Sequence, residues 1–259
     1  MGIITLTTDF GFKDPFIAEM KGVILTIDPS AVIVDITHGI EPFNILEAAI
    51  VIAASSRYFP PGSVHVVVVD PGVGSERRPI ILEAEGRLFV GPDNGVFSDL
   101  VQKAQATRCY HVIDEALMLS KDSPTFQGRD IFAPVAAWLL RGTRPADAGP
   151  EITDPVMIKI PRPQMNDGIL FGEIVYIDQF GNAITNISLR DLEPLGKSYE
   201  VVLKGHRLMP VNYYAQESTV TVSCLVNSSD RLEIFSFRNN AARLFGIEKG
   251  DTFSVRPIK

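Results

Sequence analysis

The chain has 259 residues and a formal net charge of −7 at pH 7. That length supports a large core, in one big domain or two smaller ones, and 46% hydrophobic against 21% charged residues excludes a disordered chain. The acidic balance, with lysines and arginines scattered, argues against nucleic acid or an anionic membrane as a partner.

Strand-like and helix-like segments alternate through the first part of the chain. Ile3 to Thr8 is a short apolar strand, and Pro15 to Ile27 repeats apolar residues at helical spacing. Val32 to Ile36 is a strand again, and Ile45 to Tyr58 is a helix that stops before Pro60-Pro61. The β-branched run Val66 to Val69 reads as a buried strand ending on Asp70, at the turn Pro71-Gly72-Val73-Gly74. Pro79 to Glu83 and Leu88 to Val90 pair as a hairpin around Glu85-Gly86, and Asn94 to Ala104 and Arg129 to Leu140 are helices. This alternation predicts an α/β domain over 1–145, with a mainly parallel sheet and helices on both faces.

The stretch Arg141 to Asp167 is rich in Gly and Pro, and within it 146–167 is read as a linker. The segments beyond are short and β-rich: Leu170 to Ile177, Ala183 to Ile187, Tyr199 to Leu203, Thr219 to Leu225, Leu232 to Ser236 and Thr252 to Val255. With a short helical turn at Ala241 to Phe245, they predict a small all-β barrel domain over 168–259. Cys109 and Cys224 lie far apart and read as buried free thiols in a reducing compartment. The N-terminal residues lack the pattern of a signal peptide, and the longest apolar run, Ala48 to Ala54, is too short to span a bilayer. The expectation is a soluble, cytoplasmic protein with no membrane partner.

Carboxylates at strand ends carry the candidate chemistry, because open α/β sheets bind ligands there. Asp70 is one, with Arg77 and Arg78 close behind; it reads either as a functional group fixed by arginine or as a loop salt bridge. Asp9, in Thr8-Asp9-Phe10-Gly11, reads as a ribose ligand or as the cap of the next helix. No GxGxxG opens a helix and no P-loop is present, which argues against a standard dinucleotide or nucleotide triphosphate site. His38, His65, His111 and His206 are isolated, so no metal site is expected. His65 and His111 read as structural, while His38 follows a strand. Asp93 and Asn94 read as helix caps, and Arg129 and Asp130 as first-turn charges. Asp178-Gln179-Phe180-Gly181-Asn182 offers charge, an aromatic ring and an amide at one turn, and Leu225 to Glu233 is a second polar cluster.

Taken in order, Thr8-Asp9-Phe10-Gly11, Asp70-Pro71-Gly72-Val73-Gly74, Gly91-Pro92-Asp93-Asn94-Gly95, Phe126-x-Gly128-Arg129-Asp130-Ile131-Phe132-Ala133-Pro134, Asp178-x-Phe180-Gly181-Asn182 with Thr185-Asn186, and Asn227-Ser228 form a recognisable set. The chain resembles the S-adenosylmethionine hydroxide adenosyltransferases, the hydrolase relatives of the fluorinase and chlorinase. The resemblance implies an α/β domain, a β-barrel, and a homotrimer with active sites between one subunit's first domain and a neighbour's second. It implies hydrolysis of the small-molecule substrate S-adenosylmethionine to adenosine and methionine, without a metal or cofactor. Asp70, Arg77 and Gln127 then fall on the positions around the attacking water, with Gln127 where the family has His. Asp9 falls on the ribose position. Asp178, Ser228 and Ser229 fall on the methionine end, Phe180 and Asn182 on the neighbouring-subunit side of the site, and Asn182, Asn240 and Ala241 near the adenine. Glu233, from the second polar cluster, is grouped with the substrate-binding residues. The rivals are a halogenase, a non-catalytic adenosine or S-adenosylmethionine binding module, and a nucleoside hydrolase or phosphorylase. The fluorinase carries Tyr where Asp70 stands, so this chain reads as a user of water.

Overall fold

Two strand–helix–strand crossovers build the start of the protein. β1 (Ile3–Thr8) leads through α1 (Phe16–Ile27) to β2 (Val32–Thr37), and α2 (Ile45–Ser55) leads to β3 (Val64–Val68). β4 (Pro79–Ala84) and β5 (Arg87–Pro92) follow as a hairpin, then α3 (Ser98–Lys103), β6 (Thr107–His111), α4 (Ala133–Leu140), α5 (Pro145–Ala148) and β7 (Glu151–Ile152). The structure, a computed structural model, describes residues 2–120, 124–196, 198–217 and 221–258. It divides into two compact units, Met1–Ile160 and Pro161–Lys259.

The sheet of the first unit runs β2-β1-β3-β5-β4-β6-β7. β2, β1, β3 and β5 are parallel, whereas β4, β6 and β7 add antiparallel pairings. The sheet is therefore mixed, which corrects the expectation of a mainly parallel one. The cause is the turn at Glu85 and Gly86, with φ of 50° and 69°. Two residues in left-handed conformation join antiparallel strands and cannot make a crossover. Helices do cover both faces. Val64, Val66 and Val68 of β3 pack with Met20 and Ile24 of α1 and Val135 of α4. Val67 and Val69 point the other way, toward Ala48 and Ile52 of α2 and Leu100 of α3. Burial on both faces is why this strand is an unbroken apolar run.

The helix expected over 94–104 begins only at Ser98, because Asn94 serves the strand instead of capping the helix. Its Nδ2 donates to Val69 O at 2.9 Å and its Oδ1 accepts from Val96 N at 3.1 Å. Asp93 likewise caps nothing; it is buried and accepts from Arg78 Nε at 2.7 Å and from Val156 N at 2.7 Å. Before α4 the chain makes one widened (π) turn over Gly128–Phe132. The helix expected to reach Tyr58 ends at Ser55 and tightens into a 3₁₀ turn, Ser56–Tyr58.

The second unit contains β8 (Gln164–Asn166), β9 (Ile169–Ile177), β10 (Ala183–Ser188), α6 (Leu189–Leu192), β11 (Tyr199–Leu203) and β12 (His206–Leu208). β13 (Val222–Val226), β14 (Arg231–Ser236), α7 (Ala241–Phe245) and β15 (Thr252–Pro257) complete it. The strand expected from Thr219 starts partly outside the described residues. Among the described residues these strands pair antiparallel, in the order β12-β11-β15-β9-β10-β14-β13, with β8 on β9. β9 is long enough to pair with β15 along Leu170–Glu173 and with β10 along Ile174–Ile177, so it turns the sheet round. Val211 N then donates to Cys224 O at 2.9 Å, drawing the chain after β12 onto β13. The result is a nearly closed barrel filled by Ile174, Ile187, Val201, Leu232, Ile234 and Val255. Both cysteines are buried, and burial pushes each thiol up to about 12, so neither is a thiolate near neutral pH. Among the described residues, no helix is long and apolar enough to cross a membrane.

His65 of β3 makes the first unit sensitive to acid. Its ring is fully buried, stacks on Phe89 at 4.9 Å between centroids and bonds Thr5 Oγ1 through Nδ1 at 2.7 Å. Burial, with positive Arg87 nearby, pushes its pKa down to about 4. The unfolded chain protonates this histidine near the ordinary value of about 6.5. Between those two values the unfolded state holds more protons, so stability falls as pH drops, by up to about 3 kcal/mol. Urea unfolding of the first unit is expected to show this loss between neutral pH and about 4.5. His65→Gln should flatten most of the slope, leaving the share of His111, whose pKa burial and Arg78 also lower. An unchanged slope would refute the assignment.

Candidate active site

Past the end of β3 the chain folds back on itself. Val73 N donates to Asp70 O at 3.2 Å and Ser75 N to Gly72 O at 3.0 Å, closing two consecutive turns. Gly74 has φ of +79°, and a Cβ there would lie 2.3 Å from Pro124 O, so only glycine fits. This fold-back returns Arg77 to Asp70. Arg77 Nε lies 3.0 Å from each carboxylate oxygen, and Nη2 donates to Asp70 Oδ2 and to Gln127 Oε1. The guanidinium also sits over the Phe132 ring, 5.2 Å from its centroid. The two side chains are only 9% and 4% exposed, so the ion pair is buried. Arg77 Nη1 is buried with no hydrogen-bond partner among the described residues. Arg78 is occupied elsewhere, by Asp93 and Asp154, which leaves Arg77 as the partner of Asp70.

Asp9 follows β1 as Asp70 follows β3. It does not cap α1, whose cap residue is Pro15. Its Oδ2 accepts from Phe43 N at 2.9 Å. Asp9, Asp70 and Gln127 share one cavity of about 320 Å³ in the first unit, whose other walls include Phe10, Phe43 and Phe126. Arg129 and Asp130 are more than first-turn charges. Arg129 bonds Asp130 at 2.7 Å and Glu19 at 2.8 Å and lies over the Phe126 ring, tying α1 to the cavity wall.

The second unit has its own cavity, of about 690 Å³, lined by Phe180, Asn182 and Asn240 together with Tyr214, Phe237 and Arg238. Asn240 caps α7 through Arg243 N at 2.7 Å, and a Cβ on Gly181 would lie 2.1 Å from Asn240 Cγ, so the two turns meet only because residue 181 is glycine. Asp178 organises the neighbouring turn. Its Oδ1 accepts from Phe180 N and Asn182 N, both at 2.9 Å, and its Oδ2 from Asn182 Nδ2 at 3.2 Å. Ser228 and Ser229 sit on the β13–β14 turn, where Asn227 Oδ1 accepts from Ser229 N at 2.9 Å. Glu233 is buried and accepts from Tyr214 Oη at 2.8 Å and Asn227 Nδ2 at 3.0 Å. Burial, with the charge of Asp178 adding, pushes its pKa up, although both hydrogen bonds oppose the shift. Asp178, Ser228, Ser229, Glu233 and Ala241 lie outside this cavity's lining. No motif marks Tyr214, Phe237 or Arg238 in the sequence. Tyr214 lies in an irregular segment with no periodicity to mark it. Among the described residues, no group of three His, Cys, Asp or Glu could hold a metal ion.

An α/β unit with carboxylates at the ends of adjacent parallel strands, followed by an antiparallel barrel with an aromatic and amide cavity, defines a two-domain binder of small molecules. The chain belongs to the SAM hydroxide adenosyltransferase family: residues 4–149 match its N-terminal domain and residues 172–254 its C-terminal domain. It is 37% identical to the (R)-S-adenosyl-L-methionine hydrolase of Methanocaldococcus jannaschii, across 98% of this chain and 96% of that protein. The crystal structure of an uncharacterized conserved protein from Thermotoga maritima matches with a TM-score of 0.92 at 32% identity, covering 98% of this chain and 99% of that one. A fluorinase from Actinoplanes is more distant, at 28% identity over 78% of this chain.

The buried pair makes a testable claim about stability. Arg77→Met leaves Asp70 buried and unpaired, and Asp70→Leu leaves Arg77 so. Each is expected to cost about 3–5 kcal/mol in urea unfolding, and the double variant clearly less than the sum. Additive losses would mean that the two charges do not depend on one another.

Proposed function

We propose that the protein hydrolyses S-adenosyl-L-methionine to adenosine and L-methionine. The observation that carries this reading is the Asp70–Arg77 pair at a cavity shared with Asp9, in a chain of this family. The sulfonium substrate brings its own leaving group. Water oxygen bonds to ribose C5′, the C5′–S bond breaks, its electrons stay on sulfur as the thioether of methionine, and the water proton is released. No metal or cofactor enters the scheme. The protein's task is to aim water in line and keep bulk solvent out. Asp70 orients the water, Arg77 fixes Asp70, and Gln127 braces Arg77. Gln127 can donate and accept hydrogen bonds but cannot carry a proton near neutral pH, so no relay passes through it.

In this reading Asp9 holds the ribose hydroxyls. Phe180, Asn182, Asn240 and Ala241 take the adenine side, and Asp178, Ser228 and Ser229 the methionine end. Glu233 acts from behind through Asn227 and Tyr214. We read the assembly as the family's homotrimer and the compartment as the cytoplasm, where two buried free thiols stay reduced. The Asp70 oxygens accept hydrogen bonds and donate none, so they can hold water but offer nothing to a halide, which favours water as the nucleophile.

Purified protein in ¹⁸O-water is expected to convert S-adenosylmethionine to adenosine labelled at the 5′-hydroxyl, with one methionine per adenosine. Asp70→Asn should lower kcat by about 10²–10⁴-fold. A 5′-haloadenosine formed in chloride or fluoride buffer, or binding without turnover, would refute the reaction. Gln127→His is expected to raise kcat and to add a pH step in the histidine range, read from initial rates between pH 5 and 9. Equal rates and an unchanged profile would show that this position has no share in proton handling.

A further inference from the structure

His38 stands directly after β2 and is 1% exposed. Three ties bind it to the segment around Asp9. Its Nδ1 lies 2.8 Å from Thr8 Oγ1, its carbonyl accepts from Gly11 N at 2.8 Å, and the Phe12 ring meets the imidazole edge-on at 5.0 Å between centroids. Asp9 lies between the first two ties. Thr8 Oγ1 also accepts from Phe10 N at 3.2 Å, so the hydroxyl proton is free to point at His38 Nδ1. In the tautomer that accepts this proton the ring N–H is at Nε2, which lies 3.1 Å from Asp35 Oδ1, off the line of a full hydrogen bond. Asp35 Oδ2 in turn accepts from Lys21 Nζ at 2.6 Å. A chain of polar contacts thus runs from Lys21 through Asp35 and the buried ring to Thr8, one residue from the carboxylate.

We propose that His38 is a positioning residue for Asp9. The ring and its Thr8 bond clamp residues 8–12, so that the Asp9 carboxylate, held on its other side by Phe43 N, faces the cavity at a fixed angle. A second carboxylate bond to a diol needs that angle, and small misplacements at such sites are costly. Isolated helix and strand packing would not require this arrangement, because apolar side chains would fill the same space without satisfying Thr8. The proposal rests on the reading of Asp9 as the ribose ligand.

Adenosine and 2′,3′-dideoxyadenosine, titrated calorimetrically into the full-length protein, separate positioning from plain structure. His38→Phe keeps an aromatic ring but loses the Thr8 bond, and Thr8→Val removes the same bond from the other side. Each is expected to weaken adenosine at least about tenfold while changing dideoxyadenosine less than about twofold, and His38→Asn, which can still bond Thr8, should restore most of the loss. Equal weakening of both ligands, or no weakening of either, would overturn the proposal. Unmodified protein that binds the two ligands equally would remove the ribose role of Asp9 and the proposal with it. Unmodified protein that prefers adenosine but does not cleave S-adenosylmethionine would refute the reaction and leave the positioning role supported by the variants.

Discussion

A carboxylate and a guanidinium buried together must satisfy each other, because either one left alone in that environment is expensive. Asp70 and Arg77 are in this position, and much of the local structure answers to it. They stand seven positions apart, so the chain between has to double back within two tight turns. The doubling back runs against Pro124, which leaves no room for a side chain at residue 74. Gln127 accepts the arginine's remaining reach, and Phe132 supplies the face on which the guanidinium lies. Both belong to the widened turn before α4 or its threshold. A regular α-helical turn would rotate these two residues relative to each other, so the irregular turn and the ion pair are one feature.

The sheet brings this pair to Asp9. β1 and β3 are adjacent and parallel, and Thr8 pairs with Val68 in register. The residue after each strand end therefore emerges at the same edge, Asp9 from one strand and the Val69-Asp70 step from the other. Parallel pairing alone places two carboxylates from distant sequence at one cavity, with the carboxyl ends of the strands as its floor. The antiparallel half of the sheet, β4, β6 and β7, takes no part in this and is free to follow a hairpin turn.

How much of this could be read in advance depends on whether the signal is local. The bounds of β1, of β11 and of the short helix at Ala241–Phe245 follow from apolar spacing, and all three occur as expected. The hairpin at Glu85-Gly86 was legible as well, but its consequence for the whole sheet was not. That turn sets β4 against β5, but β6 and β7 join beyond it, and no local residue pattern marks the edge they take. Asn94 illustrates a different limit. Its type and position suit a helix cap, yet the Val69 carbonyl just past β3, 25 residues earlier, claims it. Spacing leaves Arg77 and Arg78 equal as partners of Asp70; only the family resemblance points to Arg77, and the structure pairs it with Asp70 while Arg78 bonds Asp93 and Asp154. Glu233 is within reach as part of a polar cluster, but its bond to Tyr214, 19 residues earlier, is not, since a contact between an irregular segment and a strand leaves no periodic trace.

Charge placement bears on the proposed chemistry in a further way. The substrate of that reaction is a cation whose charge disappears as the C5′–S bond breaks. A bare carboxylate beside the sulfonium would stabilise the starting state more than the transition state and so slow the step. Arg77 cancels the charge of Asp70 while leaving its oxygens as hydrogen-bond acceptors, which suits a group that aims water without gripping the cation. Gln127 adds no charge to the pair. Asp9 is bonded through the Phe43 backbone N–H. In the proposed scheme its carboxylate is directed at hydroxyls that do not change during the reaction. Under that proposal the first cavity separates two tasks between two carboxylates, binding at Asp9 and aiming at Asp70, and the guanidinium on one of them is what makes the separation possible.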